Sequence, residues 1–311
     1  MQKVVSERAD NEGGAPLISV VVPAYNYARL LPRALDSVLA QLDSSSELLV
    51  VDDGSVDNTA EVLENYAQLH PELRVMHQAN AGAAAARNHG IRRARGTYVL
   101  LLDADDALCD GALAELRRLV YSQPDAGMVL GAQVSVYPDG KERLRLPTPV
   151  PEGSPQELAR SYLLEKRISI SHCCSLFRRD LLLRCPYPEQ LRTGEDIPVF
   201  THLLVSAPVL ITPLPLARIY KHADSQRHCR DNEETNALGM VEAVFAVLPA
   251  ECQRLRQRYT AQRYLSLFRQ AQQAGDVVQA RCFYSRALHL SPWQALRWSY
   301  LRKRLRLSLE S

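Results

Sequence analysis

The stretch Leu17–Pro23, LISVVVP, decides the fold class. It is a near-continuous aliphatic, β-branched run without polar alternation, the pattern of a strand buried on both faces of a parallel sheet. Downstream, Leu30, Leu31, Ala34, Leu35, Val38 and Leu39 recur at helical spacing. Glu47–Val51 (ELLVV) is a second strand that stops at Asp52-Asp53-Gly54-Ser55. Asp57–Leu69 is expected to be a helix, with Asn58 or Asp57 as N-cap and Glu61 placed for a capping box. Leu73–His77 is a third strand, Gly82–Ala94 an Ala-rich helix and Thr97–Leu102 a fourth strand. This alternation predicts an open, mostly parallel α/β sheet with right-handed crossovers.

The pattern then changes. Met128–Tyr137 and Glu142–Leu146 flank the turn sequence Pro138-Asp139-Gly140-Lys141 and predict a hairpin. Leu158–Glu165 is expected as a helix and Ile168–Phe177 as a strand. Val209–Ile211 and Ala217–Tyr220 are expected as short strands split by Pro213 and Pro215. From about Glu233 onward the pattern is helical, with breaks at Gly275-Asp276 and Ser291-Pro292.

The chain has 311 residues, 46% hydrophobic and 23% charged, which excludes bulk disorder and suits about two domains. Its 37 basic and 35 acidic residues nearly cancel, so no nucleic-acid partner is expected. Seven cysteines without a CxxC argue against a disulfide framework or a zinc knuckle. Residues 1–16 are polar and expected to form a flexible tail without a secretory h-region. No stretch approaches the ~20 apolar residues of a membrane span. A cytoplasmic location follows as the expectation.

In an open α/β sheet, ligands sit beyond the carboxyl ends of the strands. The polar residues there are Pro23, Ala24, Tyr25 and Asn26 after the first strand, and Asp52 and Asp53 after the second. His77, Gln78 and Asn80 follow the third, and Asp103, Asp105 and Asp106 the fourth. Carboxylates gathered on one rim repel one another unless a cation neutralises them. Carboxylate oxygens suit Mg²⁺ or Mn²⁺, and an ion joining Asp-x-Asp to a diphosphate is the economical explanation. No dinucleotide GxGxxG follows the first strand, and no P-loop, GxSxG elbow or HExxH is present. Each motif also has a plainer reading: Asp52–Ser55 as a turn, Asp103–Asp106 as an acid-rich helix start, Glu195 and Asp196 as helix caps.

Taken together, VVVPAYN (Val20–Asn26), VDDGS (Val51–Ser55), NAGAAAARNHG (Asn80–Gly90), LLDADD (Leu101–Asp106) and GED (Gly194–Asp196) resemble the inverting nucleotide-sugar glycosyltransferases of family two. The resemblance spans about Ile18 to Ser225 and implies a GT-A fold. Residues 17–228 would be the catalytic domain, divided into a nucleotide-binding half (17–125) and an acceptor-binding half (126–228). Residues 229–311 would be a helical extension with a basic amphipathic end. By the same resemblance, Asp53 would accept the N3–H of a uracil or thymine ring. Pro23, Tyr25 and Asn26 would wall the base and ribose, Asn80 and Arg87 would also bind the donor nucleotide, and Arg87 and Asn88 would brace the nucleotide loops. Asp103 would touch the ribose, Asp105 would hold the metal with Asp103, and Asp106 can share that task. His222, one residue early relative to the family's YRxHxxS segment, would be a third metal ligand; Lys221 can contact phosphate instead.

Asp196 would be the catalytic base, with Glu195 as the alternative. A single displacement at the anomeric carbon inverts it. The implied reaction moves a hexose or deoxyhexose from a UDP- or dTDP-sugar to a glycan or glycolipid hydroxyl, in lipopolysaccharide or other cell-surface polysaccharide synthesis. His172, Arg178, Arg179 and Arg192 can contact an anionic acceptor or serve as surface charge. Trp293, Trp298 and Tyr300, with Arg297, Arg302, Lys303, Arg304 and Arg306, suit peripheral contact with an anionic membrane, on the cytoplasmic face of an inner membrane. The competing readings are a nucleotidyltransferase, which would want a basic Gly-rich loop where PAYN stands, and a catalytically inactive membrane-associated scaffold.

Overall fold

The computed structural model describes residues 15–221 and 233–309. Most of the tail expected at 1–16, the His222–Ser225 segment and the expected boundary at 228/229 lie outside the described residues.

Four strands build the first half of one mixed sheet: β1 (Ile18–Ala24), β2 (Ser46–Asp52), β3 (Leu73–His77) and β4 (Tyr98–Leu101). They pair in parallel in the order β3-β2-β1-β4. The aliphatic run of β1 serves both faces. Ile18, Val20 and Val22 join the core on one side and Val21 joins the core on the other. The intervening helices are α1 (Leu31–Leu39), α2 (Thr59–Leu69) and α3 (Ala83–Arg93). The small residues of α3 let its backbone approach the sheet: a Cβ on Gly90 would stand 2.3 Å from Val21 Cγ1. The capping box expected at α2 does not form. Asn58 makes no side-chain cap bond, and Asp57 accepts from the Thr59 and Ala28 amides instead.

The second half adds β5 (Ala107–Leu108), α4 (Ala112–Ser122), β6 (Met128–Val136), β7 (Glu142–Arg145), α5 (Pro155–Leu163), β8 (Ser175–Arg178), α6 (Arg179–Arg184), α7 (Asp196–Ser206) and β9 (Val209–Tyr220). The sheet continues β4-β8-β6-β9-β5, with β7 also on β6. β6 and β7 form the expected hairpin. Two expectations are corrected. β9 is one strand, because a register shift opposite Ala132 accommodates Pro213 and Pro215, which donate no ladder bond. Only Ser175–Phe177 of the expected Ile168–Phe177 strand pairs, as part of β8, because the chain turns at His172–Cys174. α5 starts earlier than expected, where Ser154 and Glu157 form a capping box.

Beyond the sheet come α8 (Glu233–Val247), a 3₁₀ turn (Ala250–Leu255), α9 (Arg256–Gln273), α10 (Val277–Leu290), α11 (Pro292–Ala295) and α12 (Trp298–Leu309). α8 and α9 share an apolar cluster with α5, and α9 shares a second with α10. No helix among the described residues is long and apolar enough to cross a membrane.

A polar clamp fixes the end of the sheet away from the strand tips. Glu47, at the start of β2, is 5% exposed. Its carboxylate accepts from the Ser19 hydroxyl at 2.7 Å, the Arg95 amide at 2.6 Å, Arg74 at 2.8 Å and Arg95 Nε at 3.0 Å. Burial alone would push this carboxyl up, but the Ser19 and arginine hydrogen bonds outweigh it and hold it below its ordinary 4.5. The stabilisation is therefore present above pH 4.5 and fades as pH falls through the depressed folded value. Glu47→Gln is expected to lower unfolding free energy at pH 7 by about 1–3 kcal/mol. Urea denaturation should show that gap narrowing below pH 4.5; equal stability at neutral pH would refute the clamp.

Candidate functional site

A cavity of about 560 Å³ opens at the carboxyl ends of β1 to β4. Pro23 and Tyr25 line it from the loop after β1, Asp53 from the end of β2 and Asn80 from the loop after β3. Asp103, Asp105 and Asp106 enter from the loop after β4, Arg87 from α3, and Tyr220 and Lys221 from the end of β9. The four rim loops thus meet, as the alternation of strands and helices predicts. Asn26 is not among the lining residues. Its amide donates to Ser55 Oγ and its Oδ1 accepts from the Val56 amide, so it straps two loops together. His222 lies outside the described residues.

Asp53 is buried at 3% exposure. One oxygen accepts from Gln78 Nε2 at 2.7 Å and the Ala81 amide at 2.9 Å; the other accepts from the Gly82 amide at 2.8 Å. A carboxylate has about four acceptor sites, so these bonds leave room for about one more donor. Gly54 beside it has φ +71°, and a Cβ there would stand 2.7 Å from the Asn80 amide nitrogen. Glycine is what lets the β2 and β3 loops close on each other.

The three aspartates after β4 are not equivalent. Asp103 pairs with Arg87 at 3.3 Å. Burial would raise the Asp103 carboxyl, but the Arg87 charge and the Cys173 thiol hold it below its ordinary value. Asp106 is pushed up to about 7 by burial and by the charge of Asp103, while its Oδ1 accepts from the Tyr220 amide at 2.9 Å. The Cys173 sulfur lies 3.4 Å from Asp103 Oδ2 and 3.3 Å from Asp106 Oδ2. Burial keeps that thiol protonated, so it donates rather than ligates. Ligand atoms of Asp103, Asp106 and Cys173 all lie within 4.8 Å of one another. An Asp106 carboxyl raised by its acidic neighbours, among hard oxygen donors, fits a Mg²⁺- or Mn²⁺-type cation.

Arg87 links this cavity to the GED segment. It is 8% exposed, and its Nη1 donates to Glu195 at 2.9 Å while Nη2 faces Asp103. Glu195 makes no capping bond at the start of α7, so its carboxylate serves the ion pair. Asp196, in the first turn of α7, is raised by burial and then by the adjacent Glu195 charge. A carboxylate so raised is a stronger proton acceptor than an ordinary aspartate.

Other sequence candidates take structural roles. Arg178 pairs with Asp180, and Arg179 bonds the carbonyls of Ile91 and Arg92. His172 packs against Tyr187 and Phe200, and burial drives its ring down to about 3, so it is neutral. Asn88 bonds Tyr187 and Glu189 rather than the nucleotide loops. Sequence reasoning missed Arg33, whose guanidinium stacks 3.4 Å over the Tyr220 ring and donates to the Asp105 carbonyl. No local motif marks such a long-range support.

Comparison with known proteins agrees with this geometry. Glycosyltransferase GlyG of Streptococcus pneumoniae is 39% identical over 116 residues, 37% of this chain and 38% of that one. The glycosyltransferase EpsJ of Bacillus subtilis, itself uncharacterized, is 45% identical over 91 residues, 29% of this chain and 26% of that one. A chondroitin synthase of Pasteurella multocida is 35% identical over 125 residues, 40% of this chain and 13% of that one. The matched segments thus span from about an eighth to two fifths of these relatives. Among solved structures, S. aureus TarS 1–349 in complex with UDP-GlcNAc aligns with TM-score 0.67 at 20% identity, covering 90% of this chain and 82% of that one. The mannosyltransferase PcManGT from Pyrobaculum calidifontis, solved with GDP-Man and Mn²⁺, aligns with TM-score 0.51 at 19% identity, covering 98% and 88%. These structures share the GT-A fold, a curled mixed sheet flanked by helices. The profile of Glycosyl transferase family 2 matches residues 19–184, just over half of the sequence, and the chain belongs to that family.

Proposed function

We propose that the chain is an inverting glycosyltransferase. It moves a hexose or deoxyhexose from a UDP- or dTDP-sugar to a hydroxyl of a glycan or glycolipid, in the synthesis of a cell-surface polysaccharide. The observation that carries this reading is the ion-paired line Asp103–Arg87–Glu195, which ends beside Asp196. It joins a nucleotide-sized cavity to a carboxylate with raised proton affinity. The solved complexes of TarS with UDP-GlcNAc and with UDP support a uridine nucleotide donor. The chondroitin and hyaluronan synthases among the relatives support a polysaccharide setting.

In this reading residues 17–125 bind the donor and residues 126–228 bind the acceptor. Asp53 uses its remaining acceptor capacity for one pyrimidine imide N–H, with Pro23 and Tyr25 as the wall of the base and Asn80 holding the Asp53 carbonyl. Asp105 and Asp103 would hold a Mg²⁺ or Mn²⁺ ion, with His222 as a third ligand. That ion supplies neutralising charge for the departing diphosphate. Asp196 takes the proton of the attacking acceptor hydroxyl, on the side away from the leaving group. Arg87 keeps Glu195 occupied, which leaves Asp196 rather than Glu195 as the base.

Asp196→Asn is expected to lower the transfer rate about 100- to 10,000-fold while UDP affinity stays within about threefold. The wild-type rate should fall on acidification, through a pKa above the ordinary 3.8 of aspartate, because only the carboxylate accepts a proton. Unchanged turnover in this variant, or retained anomeric configuration in the product by proton NMR, would contradict the assignment.

The C-terminal helices suit an anionic bilayer surface. Trp293 is 88% exposed, Trp298 71% and Leu296 51%, and Arg297, Arg302 and Lys303 stand among them. Exposed tryptophans beside basic residues fit the interface of an anionic membrane. The double variant Trp293→Ala, Trp298→Ala is expected to bind phosphatidylglycerol vesicles about tenfold more weakly. Equal binding, or wild-type binding to pure phosphatidylcholine of the same strength, would exclude this contact.

A further inference from the structure

Two smaller cavities flank the GED segment on the side of the C-terminal helices. The first, about 230 Å³, is lined by Tyr162, Lys166, Ile168, Ile197, Tyr259 and Arg263, among others. The second, about 250 Å³, is lined by Arg192, Thr193, Glu233, Asn236 and again Arg263. Arg263, on α9, therefore walls both. Ile197, the residue after Asp196 in the first turn of α7, lines the first cavity between Tyr162 and Tyr259. The donor cavity is lined by Arg87, which pairs with Glu195 of the same segment.

The first cavity has an aromatic and aliphatic floor, two cations and no acid in its lining. Neither Lys166 nor Arg263 forms an ion pair among the described residues. The nearest acid on the loop, Glu165, is taken by Arg160 and Arg167. Arg263 Nε is buried with no hydrogen-bond partner, although its guanidinium sits 5.1 Å over the Tyr259 ring. A buried donor without an acceptor costs free energy, and each such group calls for an explanation. Lys166 adds a second anomaly: it has φ +53°, in the left-handed region that favours glycine. A strained backbone thus carries a cation into the lining of this cavity. Burial and the charges of Arg263 and Arg269 lower its pKa, as expected of crowded cations without a counterion.

We propose that this cleft seats the acceptor and that the acceptor is an anionic glycan, its carboxylate or phosphate held between Arg263 and Lys166 and the face of its sugar or polyol chain laid on Tyr162 and Tyr259. The inference rests on the reading of Asp196 as the base, and it names the acceptor's chemical class. Flat apolar ring faces suit aromatic floors, while a fixed cation pair selects for charge.

Binding titrations on the intact protein test it, with three probes: a hyaluronan tetrasaccharide, the same tetrasaccharide with its carboxyls reduced to alcohols, and a glycerol-phosphate oligomer. UDP with Mn²⁺ is titrated in the same samples. The wild type is expected to bind at least one anionic probe about tenfold or more above the neutral one. Whichever anionic probe binds tells carboxylate from phosphate. The preference should vanish in Arg263→Gln and in Lys166→Gly, with UDP affinity unchanged. Lys166→Gly removes the charge at a position where glycine is the unstrained residue, so loss of preference there cannot be blamed on misfolding. No preference in the wild type, or a preference that survives both substitutions, overturns the proposal. Failure of UDP to bind would refute the donor reading of the larger cavity, while the comparison among the three oligomers still decides the cleft.

Discussion

The Arg87 guanidinium, buried between the carboxylates of Asp103 and Glu195, is the interaction on which the site depends. It makes one unit of two loops that lie far apart in the sequence, one after the fourth strand and one before the seventh helix. Without the cation, two acids would face each other with no counterion between them. The sheet places α3 where Arg87 can reach both acids, and the close approach of α3 at Gly90 sets that distance. The same pairing engages Glu195, while Asp196 beside it is raised by burial and then by the Glu195 charge, against the opposing charge of Arg87.

Around this link the rim is held by polar contacts that point inward from the strand tips. Asp53 accepts from three groups of the loop after β3. Asp106 ties the aspartate loop to the end of β9 through the Tyr220 amide, and Arg33 supports both from below. Residues that resemble ligand-binding groups in sequence thus also carry structure. Asp53 is both a brace and, through its remaining capacity, a candidate reader of one donor. That economy explains why the cavity is shaped by side chains whose charges would otherwise repel.

The first half of the fold was legible because its signals are local. Uninterrupted aliphatic runs marked β1, β2 and β4, and Asp and Gly at their ends marked the rim. The second half was less so. Two prolines suggested a break in β9, yet its pairing with β6 absorbs them at a register shift. The run Ile168–Phe177 has strand composition, but the turn at His172–Cys174 leaves only its last three residues paired. Among site residues, the aspartates stood out as motifs. Arg178 and Arg179, which the sequence presented as candidate acceptor contacts, are tied to backbone carbonyls and Asp180. Arg263 and Lys166 carry no motif at all: their placement follows from the packing of α9 against α5, which no local pattern encodes.

The most direct measurement is a crystal structure of the protein grown with UDP and Mn²⁺. The account predicts the uracil against Asp53 and Tyr25, the diphosphate at the aspartate loop with Mn²⁺ bound by Asp105, and Arg87 still bridging Asp103 to Glu195. Nucleotide density elsewhere on the molecule, or an ion that avoids the aspartates after β4, would contradict it.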